Sequence, residues 1–416
     1  MSAGASQNFS DVIWSGGWLT RNRVRDYTTI LLIVELVVFL FLVAGTHGWI
    51  TAQVGPTSTD FVSFYAAGQL ANAGTPQLAY DVVAHYTAEQ QATAAGITYQ
   101  FFYYPPVFLP LCMLLARLPY FAAFATFQIV TLVPFLLVMR RILREQGWDI
   151  LVPLLAFPAI FWTMGLGQNA FLTAALFGGA TLLVDRRPLA AGMLFGLLFY
   201  KPHLGLLVPI ALAASRNWRA FAGAAISAGG LVLLSVLLFG FDTWRDYLSI
   251  AFESHTTYES GRIDLSGMIS PFAALRLIGV DTVTSYAYQG VANVVAVSLV
   301  ALTWSRGLSL PIRAASLCAG TLVAVPVLLL YDLMLAAVAG AWLVRAALED
   351  EWLPGEKTLL AALFLVPLVT RDVGRAWHLP LAAPGLLLLL VLVALRARRE
   401  LALQAPANWD FLEVHF

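Results

Sequence analysis

Apolar residues recur along this chain in long blocks, not in alternation. Stretches of roughly 15 to 22 residues with few charges are separated by short polar connections, the pattern of membrane-crossing helices and not of a barrel's strands. Twelve such blocks lie near residues 28–45, 120–139, 150–164, 170–184, 188–200, 203–215, 218–239, 285–304, 311–329, 331–345, 357–370 and 380–395. Inside lipid each helix has to satisfy its own backbone polar groups. The chain is therefore predicted to be an all-α integral membrane protein, a polytopic bundle of about 12 spans. Residues 1–20 have no compact apolar core and Thr28–Gly45 no small-residue cleavage pattern, so this first block is expected to remain as an anchor. The run Pro105–Leu118 (PPVFLPLCMLLARL) is short and holds three prolines, which suits a re-entrant or interfacial helix better than a crossing.

Composition agrees and narrows the options. Hydrophobic residues make up 60% of the chain, charged residues 12%, and mean hydropathy is +0.78, which excludes an ordinary water-soluble globule. A net charge of zero gives no footing for nucleic acid, and Cys112 and Cys318 sit in apolar runs without metal or redox spacing. Basic residues divide unevenly between the two faces. Arg21, Arg23, Arg25, Arg140, Arg141, Arg144, Arg186, Arg187, Arg216, Arg219, Arg306, Arg313, Arg345, Lys357, Arg396, Arg398 and Arg399 share one face, 17 of the 24, whereas Arg117, Lys201, Arg245, Arg262, Arg276, Arg371 and Arg375 fall on the other. The richer face is expected to be cytoplasmic, with residues 1–27 and 397–416 on that side and residues 28–396 as a single membrane domain. Two long outer segments follow, at 46–119 and 240–284, and the chemistry is expected there.

The first outer segment reads as helices. Asp60 precedes FVSFYAAGQLANAG, about 14 helix-compatible residues closing at Gly74, with Phe61, Phe64, Tyr65 and Gly68 on one face suited to the membrane surface. Asp81 opens a second amphipathic helix, DVVAHYTAEQQATA, where capping is the expected role. Asp60 has two readings, a helix cap or a base held at a helix amino terminus. Glu35 lies inside the first block, where a carboxyl group calls for a partner or a cavity.

The order of short motifs resembles a known family. The pair Asp60-Phe61 after the first block and Tyr104-Pro105-Pro106 look like integral-membrane glycosyltransferases of the type C fold, and Gly167-Gln168-Asn169, Tyr200-Lys201-Pro202-His203, Ser266-Gly267-Met268 and Tyr331-Asp332-Leu333 resemble glycosyltransferase family 87 among them. The Ser-Gly segment departs from the pattern in following Asp264. The resemblance implies the type C glycosyltransferase fold and transfer of a hexose, mannose above all, from a polyprenyl-phosphate-linked sugar donor to a lipid or glycan acceptor. It places this reaction at the periplasmic face of a bacterial inner membrane, among membrane lipids. It implies Asp60 as catalytic base, Lys201 and His203 at the donor phosphate, and Tyr65, Tyr104, Gln168, Asn169, Arg262 and Asp332 around the substrates. No cofactor is implied and no metal is expected.

The residues admit plainer roles beside these. Lys201 at the end of a block can snorkel to head groups, Gln168 and Asn169 can satisfy a turn, and Asp332 can cap the next helix. Arg262, His255 and Asp264 suit a solvated loop, and Arg371 and Arg375 interfacial anchoring or attraction of phosphate. Twelve blocks also suit a secondary transporter, with Glu35, Lys201 and Asp332 as a pathway, or a noncatalytic lipid-handling protein. Carriers commonly show related halves, which this chain does not.

Overall fold

A computed structural model describes residues 9–44, 46–47, 50–51, 59–143, 149–259 and 264–404. Nearly all of this is helical. The first helices are α1 (Phe9–Ser15), α2 (Arg21–Ala44), α3 (Phe61–Asn72), α4 (Val82–Ala92), α5 (Leu109–Leu115), α6 (Tyr120–Ile142), α7 (Leu151–Leu155), α8 (Pro158–Leu166) and α9 (Ala170–Leu183). They are followed by α10 (Pro188–Leu197), α11 (Val208–Ala214), α12 (Trp218–Glu259), α13 (Pro271–Leu277), α14 (Thr282–Ser305), α15 (Leu310–Ala324), α16 (Met334–Glu349), α17 (Glu356–Trp377) and α18 (Ala382–Gln404). A two-residue antiparallel pairing of β1 (Thr46–His47) with β2 (Ile50–Thr51) was not expected from the sequence.

Local chemistry sets many of the boundaries. Pro158, Pro188 and Pro271 occupy first helical positions, where the missing N–H is no loss and φ is already helical. Asp81, Ser270 and Asp281 cap α4, α13 and α14 by accepting from Ala84 N (2.8 Å), Ala273 N (3.1 Å) and Thr284 N (3.0 Å). The expected helix before Gly74 is α3.

The main core lies among α6, α9, α15, α16 and α18, filled by Phe135, Phe171, Phe177, Trp304 and Trp342. Small residues such as Ala174, Gly178, Ala315 and Ala319 let these helices approach closely, the packing that works where lipid replaces water. Some of its polar groups pair across helices: Thr303 and Ser316 hydroxyls meet at 2.8 Å, and Trp342 Nε1 donates to Thr181 Oγ1 at 3.2 Å.

A second, aromatic core surrounds α3. Phe61, Phe64 and Tyr65 pack edge to face with Phe124, Tyr104 and Tyr120, with ring centres 5.4, 5.1 and 5.2 Å apart. These contacts correct the expectation that α3 lies on the membrane surface. Its residues from Phe61 to Gly68 are all buried, because α4, α5 and the 3-10 turn Pro76–Tyr80 enclose the aromatic face and the opposite one as well.

Among the described residues four helices are long and apolar enough to cross a membrane: Tyr120–Ile142, Trp218–Ser254, Thr282–Ser305 and Leu330–Glu349. Shorter apolar helices occupy Pro106–Leu115, Ala170–Leu183, Pro188–Tyr200, Pro202–Ala214 and Leu310–Ala324. The protein is thus an all-helical membrane protein. The block at 150–164 is broken into α7 and α8, since Pro158 cannot extend the helix before it. The outer segment at 240–284 is not a plain loop: α12 is two helices that meet at a kink at Gly240, whose φ of 78° and ψ of 168° are not helical, and the second runs on to Glu259. His255 therefore falls in the last turns of α12.

Candidate functional site

The site forms where the head of α3 meets the turn between α8 and α9. Gly167 ends α8 with a left-handed φ of 70°, and a Cβ there would sit 2.6 Å from both Phe61 Cβ and the Phe124 ring. Only glycine fits, and it swings Gln168 and Asn169 toward Asp60. Gln168 Nε2 donates to Asp60 Oδ2 at 2.9 Å, while its Oε1 accepts from the Tyr104 hydroxyl and from Asn169 N, each at 3.3 Å. The amide is thereby fixed with its donor facing the carboxylate.

Asp60 does not cap its own helix. Its backbone is already helical (φ −58°, ψ −21°) and its side chain makes no capping bond, so the carboxylate is committed to Gln168. Burial pushes its pKa above the ordinary aspartate value, although the Gln168 hydrogen bond and the fields of Arg371 and Lys201 work the other way. A carboxylate whose burial raises its proton affinity, held by one donor and within the fields of two cations, is equipped to take a proton.

Lys201 follows the 3-10 turn Leu198–Tyr200 and is buried. Its Nζ donates to Asp332 Oδ1 at 2.7 Å and stands 4.8 Å from the centre of the Tyr331 ring. Asp332 Oδ2 accepts from Leu329 N at 3.1 Å, so the carboxylate is held at both oxygens. The Tyr200 hydroxyl meets Thr173 Oγ1 at 2.6 Å, bracing the residue before Lys201. His203 lies within the field of both Lys201 and Asp332. The segment after Asp264 is stitched to this loop: Met268 bridges Leu329, and Ile269 N donates to Leu328 O at 3.0 Å.

A third part comes from α17. Asp264 accepts from Arg375 at 3.0 and 2.6 Å and lies 3.5 Å from Arg371 Nη2. Burial opposes ionisation of Asp264, yet its bonds from Ser266 and Arg375 hold its pKa below the ordinary value. The Arg371 guanidinium lies 5.4 Å over the Trp162 ring, and its buried Nε has no hydrogen-bond partner among the described residues. Arg371, which the sequence offers as an interfacial anchor or an attractor of phosphate, also acts on Asp60 through its charge. Two guanidinium groups share one carboxylate here, which leaves room for an anion.

Of the residues expected around the substrates, Tyr104, Gln168 and Asp332 join this constellation. Asn169 is fully buried beside the Tyr104 hydroxyl, with neither amide atom paired among the described residues. Tyr65 points elsewhere: its hydroxyl donates to Leu118 O at 2.8 Å and its ring packs on Phe61 and Tyr120. Arg262 lies outside the described residues. Glu35 is buried in α2 with Oε1 unpaired among the described residues. Next to Asp332, Leu333 borders an apolar cavity of about 190 Å³, which Phe157, Leu363, Phe364 and Leu386 also line.

The sequence model described as glycosyltransferase family 87 matches residues 102–331, more than half of the chain. No curated protein and no solved structure matches it. The matched span holds Tyr104, Gln168, Asn169, Lys201 and His203 and ends one residue before Asp332, while Asp60 and Arg371 lie outside it.

Proposed function

The chain belongs to glycosyltransferase family 87, and from that premise we propose that it transfers a hexose, mannose in the first instance, from a polyprenyl-phosphate-linked donor to a glycolipid or other envelope acceptor. The observation that carries this reading is the buried Asp60 carboxylate, fixed by Gln168 and within the fields of Arg371 and Lys201. A noncatalytic lipid-handling scaffold has no need of such a carboxylate, and a carrier would be expected to show related halves, which this chain does not.

In this reading the acceptor hydroxyl loses its proton to Asp60 as its oxygen attacks the anomeric carbon. The bond from that carbon to the phosphate oxygen breaks on the opposite face, so the sugar inverts and polyprenyl phosphate departs. Arg371 and Arg375 meet the phosphate in place of Asp264. Lys201, aligned by Asp332 and Tyr331, faces the bridging oxygen as negative charge grows there, with His203 beside it. Gln168, Asn169 and Tyr104 read sugar hydroxyls. The apolar cavity beyond Leu333 supports an isoprenoid chain as part of the donor.

The same proposal includes the type C fold with about 12 crossings, the shorter apolar helices spanning in bent pairs. It sets both termini in the cytoplasm and the site at the periplasmic face of a bacterial inner membrane. The test is transfer of label from polyprenyl-phosphate mannose into lipid extract by membranes carrying the chain, with D60N beside the wild type. Loss of labelled glycolipid in D60N is expected. Equal labelling by both proteins would remove Asp60 from the chemistry, and solute uptake without transfer would favour a carrier.

A further inference from the structure

Behind α3, helix α4 carries two titratable side chains for which the transfer reaction has no direct use. His85 and Glu89 are one turn apart and both 0% exposed. His85 Nε2 lies 3.0 Å from the Ser63 carbonyl oxygen, and Glu89 Oε2 accepts from Gln100 N at 3.1 Å. The remaining atoms, His85 Nδ1 and Glu89 Oε1, face each other at 3.7 Å and have no hydrogen-bond partner among the described residues. Ser63 is one turn beyond Asp60, and its Oγ donates to the Asp60 carbonyl at 3.0 Å.

These contacts dictate where a proton belongs. A carbonyl oxygen only accepts, so Nε2 has to carry hydrogen. If Nδ1 and Glu89 both lacked a proton, two sets of lone pairs would confront each other in a sealed space. A proton on Glu89 Oε1 turned toward Nδ1 removes that confrontation, and once the 3.7 Å gap shortens to hydrogen-bond range it links Gln100 N through Glu89 and His85 to the Ser63 carbonyl.

We infer that His85 and Glu89 are positioning residues for Asp60: their shared proton pins the first turn of α3 and so fixes the direction of the base. The role rests on the transfer reading. Burial pushes Glu89 up to about 8 and His85 down to about 4, consistent with a single proton held between them near neutrality. The other titratable groups facing the pair are Asp60, at the head of α3, and Tyr99, whose ring lies 5.7 Å from that of His85. The Asp60 charge further disfavours ionised Glu89. Because Glu89 is raised above its ordinary 4.5, its contribution to stability is complete below that value and is lost as pH rises through about 8. His85 is depressed from 6.5, so its contribution is present above 6.5 and lost as pH falls through about 4.

The experiment uses the full chain in lipid nanodiscs, with E89Q and E89A. Glutamine keeps a donor toward His85 and an acceptor for Gln100 but does not titrate. Amide hydrogen exchange of α3, corrected for the chemical rate, is followed from neutral to alkaline pH. Wild-type protection is expected to fall by about tenfold per pH unit up to the Glu89 value of about 8 and to level off above it, E89Q to stay level throughout, and E89A to exchange fast throughout. Superimposable wild-type and E89Q profiles would overturn the inference, and this comparison suffices if E89A does not accumulate. With labelled polyprenyl-phosphate mannose, E89A is expected to lose about 100-fold in kcat at nearly constant KM, and E89Q to recover most of it. Fast exchange in E89A with undiminished kcat would make the pair a structural prop and sink the positioning role. Wild-type protein that transfers nothing would defeat the donor assignment, and the exchange profiles would still decide the proton.

Discussion

Helix α17 carries an ion cluster at each end, and the two are built differently. At its first turn Glu356 binds Arg396 at 2.9 and 2.5 Å, with side chains 0% and 2% exposed, and Glu356 Oε2 also accepts from Leu353 N. Asp350 lies 3.6 Å from Arg396, and Arg399 adds a contact to Asp350. Every charge there has an answer, and the cluster fastens α17 to α18. Near the last turns, Arg371 and Arg375 divide one Asp264 between them, Arg371 Nε is unpaired among the described residues, and Asn169 nearby in the same site is likewise unanswered. Buried charge alone does not mark function. An incomplete set of partners does, since an unanswered polar group is costly unless something arrives to meet it.

The largest expected effect tests the incomplete end. D60N should lower kcat by about 100- to 10,000-fold without moving the thermal unfolding midpoint, measured as initial rates and melting in parallel. Since burial raises the Asp60 pKa, wild-type activity should climb with pH along an acid limb lying above the ordinary aspartate range; a pH–rate profile flat through that region would remove Asp60 as the base. Next comes a crossed pair. R396A leaves Glu356 buried and alone and should cost about 3–5 kcal/mol of stability, whereas R371A should cut transfer by about 100-fold and melt like the wild type. Exchanged outcomes would break the contrast between the two ends. G167A is smaller, about 1–3 kcal/mol from the left-handed backbone plus displacement of Phe124, and should weaken transfer through Gln168. Smallest is D264N, which frees Arg371 and Arg375; donor KM should fall modestly in steady-state kinetics, and a rise would show Asp264 to be a contact for the donor.

Much of the site could be read ahead of the coordinates, where chemistry and local pattern coincide. Asp60 stood out because an acidic residue opened an aromatic helix next to a membrane block, and Gly167-Gln168-Asn169 because a glycine-bounded turn forces its polar residues into a small space. What pattern could not decide was the job of Asp60, since capping and catalysis ask for the same residue at the same place; only the direction of the carboxylate separates them. The action of Arg371 on Asp60 was not legible because it is far from Asp60 in the chain and sits among residues that anchor helices at interfaces. His85 and Glu89 read as ordinary polar positions of an amphipathic helix. Their burial depends on Tyr99, Phe102 and the 3-10 turn closing over them, contacts that no periodicity encodes. The extension of α12 past Gly240 was missed for a related reason, because a glycine that bends a helix and one that ends it look alike in sequence.

The sharing of one carboxylate between two guanidinium groups has a consequence for what can enter. With Lys201 neutralised by Asp332 and Asp60 set across the site, the excess of one positive charge is local to the end of α17, where Arg371 and Arg375 outnumber Asp264; it is the complement of a phosphodiester with one ionised oxygen. A nucleotide-activated sugar, whose diphosphate bridge bears two, would bring a charge that this wall cannot offset and that the Asp60 carboxylate would oppose. Donor choice would then be set by electroneutrality before any sugar hydroxyl is inspected.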